Sequence, residues 1–190
     1  MVTKAPAQKI GPGRMVLVVG PSGAGKDTLM SGLKSRLAGR VDIHFARRLI
    51  TREADTDAED HDSLTPAEFD QLAATENTAL HWQAHGHGYV IPKSYDRLIE
   101  AGATVIANGS RRILNHASNK YQNAHVVLVT APIPVLAERL AARSRETAEE
   151  IERRLSRANL EPDPIANLIR IENTGTVASG VGAMIKGLRL

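Results

Sequence analysis

The sequence predicts an α/β protein: a parallel sheet with helices on both faces, a small inserted lobe and a helical lid. Three observations carry this expectation. Apolar runs of strand type alternate with segments of helical period along most of the chain, the pattern of a parallel sheet with crossover helices. The first apolar run, Met15-Val16-Leu17-Val18-Val19, passes through a glycine-rich turn straight into a helical segment. The alternation is interrupted twice, by short strand-type runs between 46 and 92 and by an arginine-rich pair of helices between 139 and 157.

Taken in order, residues 1–13 carry Lys4 and Lys9 but no apolar signal-peptide core, and read as a flexible tail ahead of one domain over 14–190. Residues 15–20 make the first strand. Leu29, Met30, Leu33 and Leu37 recur at helical spacing and predict a helix over 26–37. Residues 41–46 read as the second strand. Residues 51–62 hold Glu53, Asp55, Asp57, Glu59, Asp60 and Asp62 with no apolar period, and read as a loop. Thr65-Pro66-Ala67-Glu68 is a capping box with proline at the first helical position. Residues 80–82 and 89–91 read as short strands around Gly86 and Gly88, an antiparallel ribbon. A helix over 94–101 stops at Gly102. Residues 104–107 form a buried strand type ending in Asn108-Gly109-Ser110, with Ser110 placed to cap a helix through His116. A strand over 125–130 precedes a helix opened by Pro132 and Pro134 and running to 142. Thr147-Ala148-Glu149-Glu150 caps a further helix to 159, and a strand over 168–171 and a helix over 177–188 complete the chain.

The turn after the first strand is Gly20-Pro21-Ser22-Gly23-Ala24-Gly25-Lys26-Asp27-Thr28. A strand, a glycine-rich turn ending in Gly-Lys and a helix together make a phosphate-binding loop. The glycines let successive amides curl around phosphate oxygens, the helix start adds partial positive charge, and Lys26 adds a full one. Every position of this stretch is therefore a candidate ATP contact. The residue after the lysine is ordinarily Ser or Thr, which serves magnesium. Here Asp27 stands there and the hydroxyl is delayed to Thr28. Both are candidates for Mg²⁺, Asp27 through direct contact, through water, or as a cap of the loop alone.

Arg139, Arg143, Arg145, Arg153, Arg154 and Arg157 crowd the second interruption. Arg139 and Arg143 share a helix face, and Arg145 sits in the break before the next cap. Two helices joined by a basic turn can close over phosphates. Phosphoryl transfer needs such donors because charge spreads over the oxygens of the moving group. With Lys26, the residues Arg139, Arg143, Arg145 and Arg154 are the catalytic candidates. Glu138, Glu146, Glu149, Glu150 and Glu152 nearly balance the arginines, so a solvated face is the competing reading.

Composition narrows the class. Apolar residues make up 42% of the chain and aromatics 3%, so the core is aliphatic. The absence of cysteine excludes disulfides, thiolate metal sites and cysteine nucleophiles, and fits a cytoplasmic protein. No apolar run is long enough for a membrane span. A net charge of +3 with one Trp gives no RNA-binding signature and suits anionic small molecules. No nucleic-acid or membrane partner is therefore expected. His81, His85 and His87 cluster without cysteine or paired carboxylates, which favours the lining of an acceptor pocket over a metal site. The apolar strands end in Asn108 and Thr130 rather than an Asp, and there is no Asn-Lys-x-Asp or Gly-x-Ser-x-Gly stretch. A P-loop kinase of a small molecule remains.

With both constellations in place, the chain resembles the guanylate kinase fold family over nearly its whole length. Residues 20–28 look like its Gly-Pro-Ser-Gly-x-Gly-Lys, and Thr51-Arg52 is similar to its Thr-Thr-Arg acceptor-phosphate element. Arg143, Glu146, Glu150, Ile151, Arg154 and Leu155 fall at the spacing of its lid motif. Glu172-Asn173 looks like its Val-Asn-Asp segment near the adenine. Guanine is read there by two carboxylates, and this chain has His81 (in Leu80-His81-Trp82) and Asn108 in their places. The second arginine of the phosphate clamp is replaced by Asp55. Buried donors left without acceptors cost about 1–3 kcal/mol each, so guanine should be rejected.

The pattern is instead similar to the ribose 1,5-bisphosphate phosphokinase family of phosphonate breakdown, through Gly25-Lys26-Asp27, Arg48-Leu49-Ile50-Thr51-Arg52, Glu59-Asp60-His61, Leu80-His81-Trp82 and Asn108-Gly109-Ser110-Arg111. The resemblance implies ATP-dependent phosphorylation of the 1-phosphate of ribose 1,5-bisphosphate to 5-phosphoribosyl 1-diphosphate, with Mg²⁺. It implies an acceptor-binding lobe at 46–92 using Arg48, Thr51, Arg52, His81, Tyr89, Asn108, Ser110 and Arg111, ATP contact by Asn173, and a lid at 139–157. Two other readings stand beside it: a guanylate kinase with an atypical pocket, and a binding module without chemistry. Retention of Gly25-Lys26 speaks against the second.

Overall fold

The computed structural model describes residues 8–52, 61–75, 77–142, 155 and 166–190. Its frame is a five-stranded parallel sheet made from β1 (Ile10–Val19), β2 (Ile43–Phe45), β7 (Thr104–Asn108), β8 (Tyr121–Thr130) and β9 (Leu168–Glu172), in the order β2-β7-β1-β8-β9. β1 is central, paired with β7 on one side and β8 on the other. That explains its unbroken apolar run, because both of its faces are covered. Met15, Leu17 and Val19 pack with Ile99, Leu114 and Tyr121 on one face, while Val16 and Val18 pack with Leu29, Leu33, Leu136 and Met184 on the other.

Those contacts place the helices. α1 (Lys26–Arg36), α5 (Ile133–Ala141) and α6 (Val177–Leu188) cover one face, and α3 (Ser94–Glu100) and α4 (Leu114–Lys120) the other. Each fully buried Leu or Ile in these layers contributes about 1.5–3 kcal/mol of transfer free energy. α3 is locked to the start of β8 by a buried charge. Asp96 is 5% exposed and accepts from the Tyr121 hydroxyl at 2.7 Å and from Lys120 Nζ at 2.8 Å. Burial, then the hydrogen bond to Asp96, pushes the Tyr121 phenol well above its ordinary pKa.

A second, four-stranded sheet stands beside the first, in the order β4-β3-β6-β5, from β3 (Arg48–Ile50), β4 (His61–Ser63), β5 (Thr78–Ala84) and β6 (His87–Pro92). β5 and β6 are the expected antiparallel ribbon, longer than expected, with Trp82 opposite Tyr89. α2 (Pro66–Ala74) begins with the expected capping box: Thr65 Oγ1 accepts from the Glu68 amide, and the Glu68 carboxylate accepts from the Thr65 amide. The Thr65 amide and then the Thr65 hydroxyl, both donating to the Glu68 carboxylate, hold that carboxyl below its ordinary pKa.

Several boundaries differ from the sequence reading, three of them with a clear physical reason. Residues 10–13, expected in the tail, belong to β1, which pairs with β8 at Ile10, opposite Tyr121, and Asn123 Nδ2 donates to Pro12 O. The loop expected over 51–62 ends in β4, since His61, Asp62 and Ser63 pair in parallel with Arg48, Leu49 and Ile50. The strand expected over 125–130 starts at Tyr121, whose buried ring replaces the apolar alternation that would have marked it. The acid-rich residues 53–60 and nearly all of the expected lid beyond Ala142 lie outside the described residues. Leu155 is described and packs against the core on the α1 face.

Candidate active site

The phosphate-binding loop forms at the carboxyl end of β1, where the sheet hands the chain to α1. Gly20, Gly23 and Gly25 have φ of 149°, 83° and 83°, values that L side chains avoid. At Gly20 a Cβ would also run into the carbonyl oxygen of Val129 on the neighbouring strand, so the loop leaves β1 hard against β8. Gly25 is the N-cap of α1 and brings the positive end of that helix to the loop. Lys26 Nζ donates to Pro21 O at 3.0 Å, which lays its charge across the loop.

Two residues brace this loop, one from α5 and one from the end of β9. Asn173, 8% exposed just after β9, donates from Nδ2 to Ala24 O at 2.8 Å, and its own amide donates to Thr130 O at 2.7 Å. Arg139 on α5 donates from Nη2 to Asn173 O at 3.0 Å and from Nη1 to Gly23 O at 3.4 Å. Arg139 was expected among the closing arginines and Asn173 against ATP. Both hold the shape of the loop through its carbonyls. Arg143, Arg145 and Arg154 lie outside the described residues.

Asp27 and Thr28 are exposed on the first turn of α1. Asp27 Oδ1 accepts from Asn108 Nδ2 at 2.7 Å. Asn108, the last residue of β7, also accepts at its main-chain oxygen from Arg48 Nη1 at 3.1 Å. Arg48 is 6% exposed and lies over the stacked rings of Trp82 and Tyr89, its guanidinium carbon 5.7 Å and 5.2 Å from their centroids. The two rings are 5.2 Å apart and nearly parallel, the cross-strand pair set by the β5–β6 register. A continuous chain of contacts therefore runs from the loop through Asn108 and Arg48 into the second sheet.

The remaining acceptor-binding candidates divide. Thr51 Oγ1 accepts from the Gly88 amide at 2.8 Å and so ties β3 to β6. Ser110 Oγ accepts from the Arg112 amide at 3.3 Å and caps the 3-10 turn Arg111–Ile113 that leads into α4. His81 Nδ1 contacts Thr78 Oγ1 at 2.9 Å, and its ring meets Phe69 edge-on. Arg52 and Arg111 are half-buried, and Arg52 Nε is buried with no hydrogen-bond partner among the described residues. A cleft of about 440 Å³ opens between α2 and the β5–β6 turn, lined by Thr51, Phe69, Gln83, His87, Gly88 and Arg112. The histidine trio does not converge: His87 Nδ1 contacts Thr51 O while His81 turns to Thr78. Among the described residues no group of three or more His, Cys, Asp or Glu could hold a metal, and no helix is long and apolar enough to cross a membrane.

Sequence reasoning missed the Arg48–Trp82–Tyr89 stack and the Asp27–Asn108 bond. The first was within reach: a tight turn at His85-Gly86 fixes Trp82 opposite Tyr89. The second joins residues 81 apart in sequence and carries no local signal.

Comparison with known proteins agrees with this geometry. A family model described as an AAA domain matches residues 16–159. A protein named ribose 1,5-bisphosphate phosphokinase PhnN from Brucella melitensis is 46% identical over 93% of this chain and 92% of its own length. One of the same name from Rhodopseudomonas palustris is 50% identical over 83% of this chain and 80% of its own length. The crystal structure of guanylate kinase from Anaplasma phagocytophilum shares the fold, with a TM-score of 0.64 at 15% identity over 96% of this chain and 86% of that one. With a P-loop at the carboxyl end of the central strand of a five-stranded parallel sheet, a second sheet reached from that loop through Asn108 and Arg48, and relatives this similar over this much of its length, the chain belongs to the ribose 1,5-bisphosphate phosphokinase family of P-loop phosphotransferases.

Proposed function

We propose that this chain transfers the γ-phosphoryl group of ATP to the 1-phosphate of ribose 1,5-bisphosphate, forming 5-phosphoribosyl 1-diphosphate, a step in phosphonate breakdown. One observation carries the choice of acceptor. The two positions where a guanylate kinase reads guanine with carboxylates hold His81, engaged with Thr78, and Asn108, engaged with Asp27. Guanine N–H groups would meet no carboxylate there, while Arg52 offers a buried donor suited to a phosphate oxygen.

The nucleotide phosphates lie on the amides of residues 20–28, with Lys26 between them. Asn173 and Arg139 keep those amides aimed by fixing the carbonyls of Ala24 and Gly23. Arg52 and Arg111 hold the phosphates of the acceptor, and Arg48 keeps the acceptor lobe in register with the loop. The span 46–92 acts as the acceptor lobe, and Arg143, Arg145 and Arg154 serve as closing donors of a lid at 139–157. The nucleophile is a phosphate oxygen already deprotonated near neutral pH, so no general base is required. Catalysis is positioning and charge stabilisation.

The residues present fit Mg²⁺. Asp27 offers an exposed, hard carboxylate oxygen beside the loop and Thr28 an exposed hydroxyl, the donor type and low protein-ligand count that a phosphate-bound Mg²⁺ takes. A Mg²⁺ ion held by these residues would supply positive charge to offset that of the nucleotide phosphates.

The test is ATP consumption with ribose 1,5-bisphosphate, ribose 5-phosphate and GMP offered in parallel. Turnover on the bisphosphate well above the other two supports the proposal. A preference for GMP overturns it in favour of a guanylate kinase, and ATP that neither binds nor turns over revives the binding module.

A further inference from the structure

In P-loop enzymes the magnesium shell is shared between two elements: a Ser or Thr after the loop lysine, and an Asp at the end of a neighbouring strand. This chain departs at both places, with Asp27 on the helix and Asn108 at the end of β7. The structure brings those two departures into one hydrogen bond. Asn108 Nδ2 donates to Asp27 Oδ1 at 2.7 Å across the gap between β7 and α1.

We propose that the carboxylate and its hydrogen-bond partner have exchanged elements: Asp27 supplies the acid of the Mg²⁺ shell from the helix, and Asn108 is the positioning residue that orients it from the strand. The chemistry of the pair supports this. An ionised carboxylate can only accept, and an amide NH₂ is a donor that adds no charge. An Asp at 108 would set two carboxylates at 2.7 Å, so Asp27 itself requires a neutral donor opposite. The amide engages one carboxylate oxygen and leaves the other for a cation. The same residue reaches the acceptor lobe, because its main-chain oxygen accepts from Arg48 Nη1 at 3.1 Å. Asn108 thus links the metal side of the loop to the wall of the second sheet, a role distinct from the direct acceptor contact expected from the sequence.

The inference rests on residues 20–28 being the nucleotide site, and its test separates the two. The affinity of a non-hydrolysable ATP analogue is measured by calorimetry with and without Mg²⁺, for the unchanged chain and for Asp27→Ser, Asn108→Ala and Asp27→Ser/Asn108→Asp. The gain in affinity that Mg²⁺ brings should fall by about tenfold in each single variant, and the double variant, which rebuilds the hydroxyl–carboxylate arrangement, should recover most of it. Affinity without Mg²⁺ should not fall in Asp27→Ser, because loss of a carboxylate beside the phosphates relieves repulsion, whereas a merely structural role would lower affinity with and without Mg²⁺ alike. Asp27→Asn replaces Asp27→Ser if the latter does not fold. An unaltered Mg²⁺ gain in Asp27→Ser, or a double variant no better than Asp27→Ser, overturns the exchange while leaving the nucleotide site intact. Failure of the unchanged chain to bind the analogue overturns both readings.

Discussion

Arg139 is the sharpest place to separate bracing from chemistry. Replacing it by Ala removes the bond from Nη2 to Asn173 O at 3.0 Å and the longer one from Nη1 to Gly23 O at 3.4 Å. A hydrogen bond from a charged donor is worth about 1.5–3 kcal/mol, and the half-exposed setting puts this one at the lower end, about 1.5–2 kcal/mol, the longer bond adding little. If that energy orders the loop for phosphate, nucleotide affinity should drop by about 10–30-fold. The unfolding midpoint should fall by roughly 3–8 °C. The rate at saturating nucleotide should change far less. Arg139→Lys should be intermediate, because an ammonium keeps the charge but lacks the planar fork that spans two carbonyls. The assay is nucleotide titration and steady-state kinetics on the same preparations. A group touching the transferred phosphoryl behaves differently: its loss costs about 10³–10⁵ in rate. An unchanged nucleotide affinity together with a rate loss of that size would refute the bracing role.

Other outcomes follow from the same geometry. Gly20→Ala forces a side chain onto φ 149° and into Val129 O; backbone strain of about 1–3 kcal/mol should appear as a lower unfolding midpoint with weakened nucleotide binding. Tyr121→Phe removes a donor from buried Asp96 and should cost about 1–3 kcal/mol by denaturant titration, with nucleotide affinity unchanged, since the bonds of Asp96 go to Tyr121 and Lys120 and not to the loop. His125 is held below its ordinary pKa by burial and then by the charge of Arg14. The unfolded chain therefore takes up this proton first, near pH ~6.5. The contribution is complete above that pH and declines as pH falls through the folded value. The unfolding midpoint should drop between about pH 7 and pH 5, and His125→Gln should flatten that slope. An equal slope in the variant would assign the dependence to another group.

The parallel sheet, the loop and its flanking helices were legible in the sequence because each is written locally. Met15 to Val19 reads as a strand covered on both faces, the glycines read as a turn with positive φ, and Thr65 to Glu68 reads as a capping box that forms as written. β4 was not legible. His61, Asp62 and Ser63 carry no strand pattern, and their pairing is imposed by β3 alongside. The tail was overestimated for a related reason: Ile10 is held by Tyr121, and nothing near Ile10 in the chain announces that partner.

The site divides the same way. Lys26 and the glycines follow from motif chemistry. Asn173 and Asn108 were recognised as important from resemblance, Arg139 from its place in the arginine-rich segment and Ser110 as a cap from the sequence; for the first three, side-chain partners decide what they do. Arg139 and Asn173 bond loop carbonyls, Asn108 bonds Asp27, and Ser110 caps a turn. A motif records which residue stands at a position, and only the fold records which way its donors point.

The most direct test of the central claim is the identity of the product, read by phosphorus NMR after incubation with ATP, Mg²⁺ and an equimolar mixture of ribose 1,5-bisphosphate and GMP. The 1-phosphate signal of the sugar should be replaced by a pair of mutually coupled diphosphate resonances, with the 5-phosphate signal retained and GMP untouched. Conversion of GMP to GDP with the sugar unchanged would contradict it.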